Sequence, residues 1–183
     1  MLDFLGSDLT GQEYEVTLRI PKNLEFQLVF KQQRTHAFST IERGELQFLF
    51  VDTVGRALSA FKWLVVLYGL VGALKALLKI SRGNRYFYAL LEGGEVVHTG
   101  WINDSFCNYY RVNRGELVIG PIWSADAARG RGFGTYATQL AMNTMLQRGR
   151  GIFYIDTSNS NRPCLRLIEQ CGFGYPIAAF VRA

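Results

Sequence analysis

Apolar and polar positions change their spacing along this chain, and each change marks an element. The stretches "YEVTLRI" (14–20) and "LEFQLVF" (24–30) flank Pro21-Lys22-Asn23, which predicts two strands around a turn. From about Arg56 to Ser81 the pattern is helical, and "SRGN" closes it. "RYFYALLEGGEVVHTGWI" returns to strand patterning, split by Glu92-Gly93-Gly94 into a hairpin. "GELVIGPIW" predicts a further strand, but Pro121 has no N–H to donate, so a bulge or an unpaired edge is expected at Gly120-Pro121. Ala137, Leu140, Ala141 and Met145 then keep helical spacing, and Gly149 can close that helix. "IFYID" reads as a short buried strand. Asn161-Arg162-Pro163 opens a helix that Gly172 ends, and "YPIAAFVRA" is a last strand. The fold class expected is α/β: one domain with a mixed central sheet, antiparallel in its first half and β-α-β-α-β in its second, flanked by helices.

Length and charge narrow the picture. A chain of 183 residues is long enough for one well-buried domain and short for two. A net charge of +5 and a pI near 9.2 favour an anionic partner: a phosphorylated cofactor, a nucleic acid or a membrane surface. Cys107, Cys164 and Cys171 are odd in number and form no C-x-x-C, so they read as reduced thiols of a cytoplasmic protein. The N-terminus has neither the basic lead nor the apolar core of a secretory signal. "KWLVVLYGLVGALKALLK" is uncharged from Trp63 to Leu74; twelve helical residues reach only ~18 Å, short of the ~30 Å core of a bilayer. A core helix is the expected reading. Because Lys62, Lys75 and Lys79 flank the run, a membrane-interface helix, and hence a membrane-peripheral protein, is the alternative.

The chemistry concentrates in Arg129-Gly130-Arg131-Gly132-Phe133-Gly134, directly before a predicted helix. The first amides of a helix have no intrahelical partner and carry the positive end of its dipole. Glycines let such amides form a concave nest, and arginines add charge-assisted hydrogen bonds, so a phosphate or pyrophosphate is the natural guest. A flexible turn with two solvated arginines is the plain alternative. A nucleoside-triphosphate loop needs Gly-Lys-Ser/Thr, and no Gly-Lys pair occurs in the chain. A dinucleotide fold would use Asp156 for a ribose, but "WSADAAR" separates strand from glycines, and 27 residues after Asp156 are too few for the rest of that sheet. Nucleic-acid binding is not expected, since interleaved aromatics and a basic stripe are missing.

The loop resembles the R/Q-x-x-G-x-G/A motif of the GNAT superfamily, the acyl-CoA-dependent N-acyltransferases. Downstream, "NRPCLRLIEQCGF" is similar to the family's N-x-x-S/A-x-x-L-Y-E-K-x-G-F helix, with Asn161, Leu167, Glu169, Gly172 and Phe173 aligned. The order of elements agrees, and the resemblance runs from Tyr86 to Phe173. It implies a single GNAT-like domain over 1–183, with an acyl-CoA-binding core at 86–173 and a divergent half at 1–85 that carries two strands and the apolar helix.

The resemblance also implies roles. The amides of Arg129, Gly130, Arg131, Gly132, Phe133, Gly134 and Thr135 would hold the pyrophosphate of acetyl-CoA or another acyl-CoA. The exposed backbone at Ile122 and Trp123 would pair with the pantetheine arm, and the N–H of Gly120 would hold the thioester oxygen as it gains charge. Asn161 and Cys164 would contact the co-substrate, with Cys164 standing where the family has Ser or Ala. No metal is implied. An alkyl ammonium is mostly protonated near pH 7, so a base is needed. Glu116, thirteen positions before Arg129, resembles the base glutamate of the protein-acetylating branch. His36 and His98 are weaker candidates. The family's acidic Tyr falls at Ile168; Tyr154 or Tyr175 could substitute. The activity implied is N-acyl, most simply N-acetyl, transfer to a primary amine of a small molecule, an amino sugar or a peptide. A membrane-surface or lipid-linked acceptor is a further expectation. The chain ends only ten residues after Phe173, so either a swapped or partner-supplied strand, as in a homodimer, or a truncated sheet edge is expected. The alternative to an enzyme is an acyl-CoA-binding module without turnover, serving regulation or interaction.

Overall fold

The protein is described here by a computed structural model covering residues 2–7, 13–18, 25–40 and 43–181. Its elements are β1 (Leu2–Ser7), β2 (Glu13–Leu18), β3 (Phe26–Gln33), β4 (Leu46–Val51), α1 (Val54–Ser59), α2 (Phe61–Ser81), β5 (Arg85–Glu92), β6 (Glu95–Asp104) and β7 (Leu117–Ser124). After them come α3 (Phe133–Leu146), β8 (Ile152–Ser158), α4 (Arg162–Gln170) and β9 (Ala178–Val181). β1 and β2 pair with each other as a two-stranded sheet, and the other strands follow the order β4-β5-β6-β7-β8-β3-β9. This is the mixed α/β architecture the patterning predicts. The chain forms two compact units and passes between them twice, at the end of β3 and within β8: a larger one from Gln33 to Tyr154, and a smaller one of Met1–Gln32 with Ile155–Ala183.

One pairing differs from expectation. β2 and β3 both form, but they do not share a ladder: β2 pairs with β1, while β3 lies between β8 and β9. The turn expected at Pro21-Lys22-Asn23 lies outside the described residues. The physical reason is legible in β3 itself. Leu28, Val29 and Phe30 are consecutive and all buried, the signature of a strand covered on both faces inside a sheet.

In the larger unit, period-2 alternation along β5 feeds two cores. Phe87, Ala89 and Leu91 join Leu64, Ala73, Ala76 and Ile80 of α2. Tyr88 turns to the opposite face, where its Oη and Thr138 Oγ1 of α3 are 3.1 Å apart. Burying each such aliphatic or aromatic side chain contributes about 1.5–3 kcal/mol. The β5–β6 hairpin turns through Gly93 (φ 59) and Gly94 (φ 87), two successive left-handed residues, as a type I′ turn requires.

The predicted helix from about 56 to 81 divides at Ala60 into α1 and α2, and Gly69 interrupts α2 with non-helical backbone (φ 67, ψ 172). By length and composition α2 is long and apolar enough to cross a membrane. However, its buried Leu64, Ala73, Ala76 and Ile80 tie it to the sheet, and the non-helical backbone of Gly69 kinks it. The expectation of a core helix is therefore met on one face only.

In the smaller unit, β9 pairs antiparallel with β3, from Phe26 opposite Val181 to Val29 opposite Ala178. α4 starts as its sequence predicts: Asn161 caps it, its Oδ1 accepting from the Cys164 N–H at 3.3 Å, and Pro163 sits in the first turn.

Candidate active site

The glycine loop is built as a helix mouth. A 3-10 turn at Asp126–Ala128 hands the chain to Arg129, whose backbone is extended (φ −65, ψ 144). Gly130 (φ 76) and Gly132 (φ 75) then take left-handed conformations, and α3 begins at Phe133. An L side chain pays roughly 1–2 kcal/mol for such a backbone, which is why glycine stands at both positions. A methyl group at either would meet no atom of the described residues within 4 Å, so the face they border is open among them. Gly132 is the N-cap and supplies no side chain to cap the helix. An open, uncapped helix N-terminus between two left-handed glycines fits an anionic group.

The two arginines are already engaged. Arg129 pairs with Asp126 at 2.8 Å, and both are exposed. Arg131 grips Glu92 at the hairpin with two parallel hydrogen bonds, Nη1 to Oε2 at 2.7 Å and Nη2 to Oε1, while its guanidinium stacks 4.3 Å over the Phe133 ring. The hydrogen bond from Arg131 holds the Glu92 carboxyl below its usual range, and the same bond raises Arg131.

β7 carries the bulge that Gly120-Pro121 predicts. Against β6, Ile119 lies opposite Ile102 and Ile122 opposite Gly100, so Gly120 and Pro121 together face Trp101 alone. The Gly120-Pro121 bond is cis, Gly120 has φ 135, and its carbonyl accepts from Asn103 Nδ2 at 2.9 Å. Past the bulge, Pro121, Ile122 and Trp123 form one wall of a cavity of about 700 Å³. α2 supplies a second wall with Trp63, Val66 and Tyr68, and Glu95 of the hairpin adds a carboxylate. The aromatic walls are braced: Trp63 Nε1 donates to Gly94 O at 3.3 Å, and Trp101 Nε1 donates to Tyr68 Oη at 3.2 Å. The sequence pointed to Ile122 and Trp123 and to the apolar helix from Trp63 to Leu78 as a candidate wall of the acceptor pocket, but not to Glu95, which reaches the cavity from more than twenty positions away.

Glu116 lies just before β7 and is buried. Its Oε2 accepts from Tyr154 Oη at 3.0 Å and from the Asn113 N–H at 2.9 Å. Tyr154 is packed against Tyr110, with ring centroids 5.8 Å apart. Glu116 is not part of the cavity wall, and three strand residues, a rise of about 13 Å over four steps, separate it from Gly120. Tyr175 in the smaller unit is 64% exposed.

The histidines occupy contrasting places. His36 is exposed, its Nδ1 2.9 Å from Thr35 Oγ1. His98 is fully enclosed in β6, with Nδ1 2.7 Å from Ser124 Oγ and Nε2 lacking a hydrogen-bond partner among the described residues. Burial lowers its pKa to about 4, so the ring is neutral.

Within the smaller unit, Asn161 spends its side-chain carbonyl on capping α4. Burial pushes the Cys164 thiol up, opposed by a hydrogen bond with Thr157 and reinforced by the charge of Asp156, so it is a poor nucleophile. Ile168, where the resemblance would put an acidic Tyr, is a core residue of α4 with 1% exposure.

Comparison with known proteins bears on the fold and the family. A family model described as the acetyltransferase (GNAT) family matches residues 59–173, reaching upstream of the sequence motifs to include α2. A GNAT-family acetyltransferase from Colwellia psychrerythraea is similar in structure, with TM-score 0.57 and 15% identity over 87% of this chain and 55% of that one. A tandem GNAT protein from the clavulanic acid biosynthesis pathway gives TM-score 0.62 and 11% identity over 98% of this chain and 61% of its own. An aminoglycoside 6'-N-acetyltransferase from Acinetobacter baumannii gives TM-score 0.53 and 14% identity over 73% and 93%. The chain thus spans 55% and 61% of the length of the first two. No curated protein matches it in sequence. At these identities the structures establish the fold, and the family model, covering more than half of the chain, establishes the lineage: the chain belongs to the acetyltransferase (GNAT) family.

Proposed function

We propose that this chain is an N-acyltransferase that moves an acetyl or other acyl group from coenzyme A to a primary amine by direct attack. The observation that carries this reading is the open, uncapped mouth of α3 between Gly130 and Gly132, placed shortly after a strand whose ladder is interrupted at Gly120-Pro121. Coenzyme A, when bound, supplies the acyl group as a thioester. The N–H groups of Arg129 and Arg131 donate to Asp126 O at 3.2 Å and Ala128 O at 3.4 Å, so the amides of Gly130, Gly132, Phe133 and Gly134 would hold its pyrophosphate, helped by the Arg131 side chain. The backbone of Ile122 and Trp123 would meet the pantetheine arm. The Gly120 N–H would donate to the thioester oxygen; one such donor contributes about 3 kcal/mol at the transition state.

Glu116 is the base in this reading. Its carboxylate would take the ammonium proton, through Tyr154 Oη or an intervening water, since it stands away from the cavity wall. The acceptor would enter the cavity bounded by Trp63, Tyr68 and Trp123, whose aromatic faces and nearby Glu95 suit an amine that carries an apolar or ring-shaped body. The similarity in fold to an aminoglycoside 6'-N-acetyltransferase makes amino sugars a sensible part of the acceptor panel.

The test is thiol release from acetyl-CoA with amino sugars, polyamines and peptides, run on wild type and Glu116→Gln. The reading expects turnover that falls at least tenfold in the variant while coenzyme A affinity holds. Acyl-CoA binding without thiol release from any acceptor would instead favour a non-catalytic acyl-CoA-binding module, a reading that the burial of Ile168 in place of an acidic Tyr supports.

A further inference from the structure

The apolar residues of α2 that do not face the sheet have no partner among the described residues, although a soluble helix would normally turn polar there. Val66 is 77% exposed, Leu70 60%, Val71 66%, Leu74 51% and Leu78 56%. At about 100° per residue, Leu70, Leu74 and Leu78 line one ridge of the helix with Val71 beside it. Ala73, Ala76 and Ile80 form the neighbouring buried stripe. On the other side of the exposed ridge come Lys75, Lys79 and, just past the helix, Arg82. No acidic residue occurs between Phe61 and Ser81, and among the described residues Lys62, Lys75, Lys79 and Arg82 form no salt bridge.

We propose that α2 seats this protein on an anionic bilayer surface, with the Leu70–Leu78 ridge in the acyl boundary and the lysines at the lipid headgroups. An apolar arc bordered by cations is the design of an interfacial helix. The charge selects this occupant: a purely apolar groove on a protein partner would leave the lysine edge unmatched, whereas anionic lipids satisfy both arcs together. The helix lies on the membrane and does not cross it. Its buried stripe holds it to the sheet, and the segment after Gly69, Leu70 to Ser81, reaches only about 18 Å. Val66 belongs both to this exposed surface and to the cavity wall, so docking brings the cavity to the lipid surface. On the acyltransfer reading, the acceptor is then an amphiphilic amine displayed at the bilayer. Membrane binding itself does not depend on that reading.

Co-sedimentation of the full chain with phosphatidylcholine vesicles, with and without about one-third phosphatidylglycerol, tests the proposal. Binding is expected to the anionic vesicles, weakening as salt rises. Lys75→Gln with Lys79→Gln should weaken it about fivefold per lysine. Leu70→Gln with Leu74→Gln should weaken it at least tenfold at unchanged melting temperature, because neither side chain is in the core. Absence of binding to anionic vesicles overturns the proposal, as does binding that both double variants retain. So does a concentration-dependent dimer that Leu70→Gln with Leu74→Gln dissociates, since a second copy would then be the occupant. Thiol release measured on soluble amines in the same preparations stays the same if only the membrane proposal fails, which separates the two readings.

Discussion

Replacing Gly132 with Ala separates the folding role of the loop from its anion-binding role. Gly132 adopts φ 75 and ψ 8 as the N-cap of α3, and an added methyl would meet nothing of the described residues within 4 Å. The cost in the free protein is therefore conformational, roughly 1–2 kcal/mol for a left-handed L residue. In a chain of this size each 1 kcal/mol lowers Tm by about 2–4 °C, so Gly132→Ala should melt roughly 2–8 °C lower. Gly149, just past the other end of α3, offers a matched control, with φ 74 and equally open surroundings. Gly149→Ala should lose similar stability. Affinity for coenzyme A distinguishes the two. If the amides around Gly132 hold the pyrophosphate, a displaced backbone loses at least one hydrogen bond to a charged group, about 1.5–3 kcal/mol, or about ten- to a hundredfold in Kd. Calorimetric titration with coenzyme A beside thermal melts reads both quantities. Matching Tm losses with an unchanged Kd in Gly132→Ala would refute the assignment of the loop as the anion site.

Glu92→Gln releases Arg131 from its partner; coenzyme A should bind more tightly and with a steeper salt dependence, and titrations at low and high salt showing unchanged or weaker binding would argue against Arg131 as a phosphate contact. Gly100→Ala sets a methyl 2.2 Å from Cζ and Oη of the buried Tyr88, an overpacking that should cost about 1–3 kcal/mol in denaturant unfolding; a neutral outcome would mean that Tyr88 is not locked in place. His98 stays neutral in the fold down to about pH 4, whereas the unfolded chain protonates it near 6.5. The unfolded state thus binds more protons between those values, so the contribution is complete above about 6.5 and is lost as pH falls toward 4, on the order of 3 kcal/mol in all. Melting His98→Gln beside wild type across that window should show a flatter acid limb in the variant, and parallel limbs would contradict the burial argument.

What the sequence determined by itself was local. Left-handed backbone is a property of single residues, so the hairpin at Gly93-Gly94, the nest at Gly130 and Gly132 and the end of α4 at Gly172 were all legible before any tertiary contact. The missing N–H of Pro121 likewise announced the bulge in β7. The pattern that resembled the family was made of such residues, together with the cap at Asn161. Only the tertiary structure decided which distant groups meet. β2 and β3 are adjacent in sequence but lie in different sheets, because β3 is apolar on both faces and needs cover that a hairpin partner alone does not provide. Arg131 is held by Glu92, Glu116 by Tyr154, and the cavity joins Glu95 and Tyr68 to β7; each pairing is a long-range contact with no periodic trace. The composition of α2 showed an apolar helix, but burial of one stripe and exposure of the next depends on where the sheet ends beneath it, and that is a decision of packing.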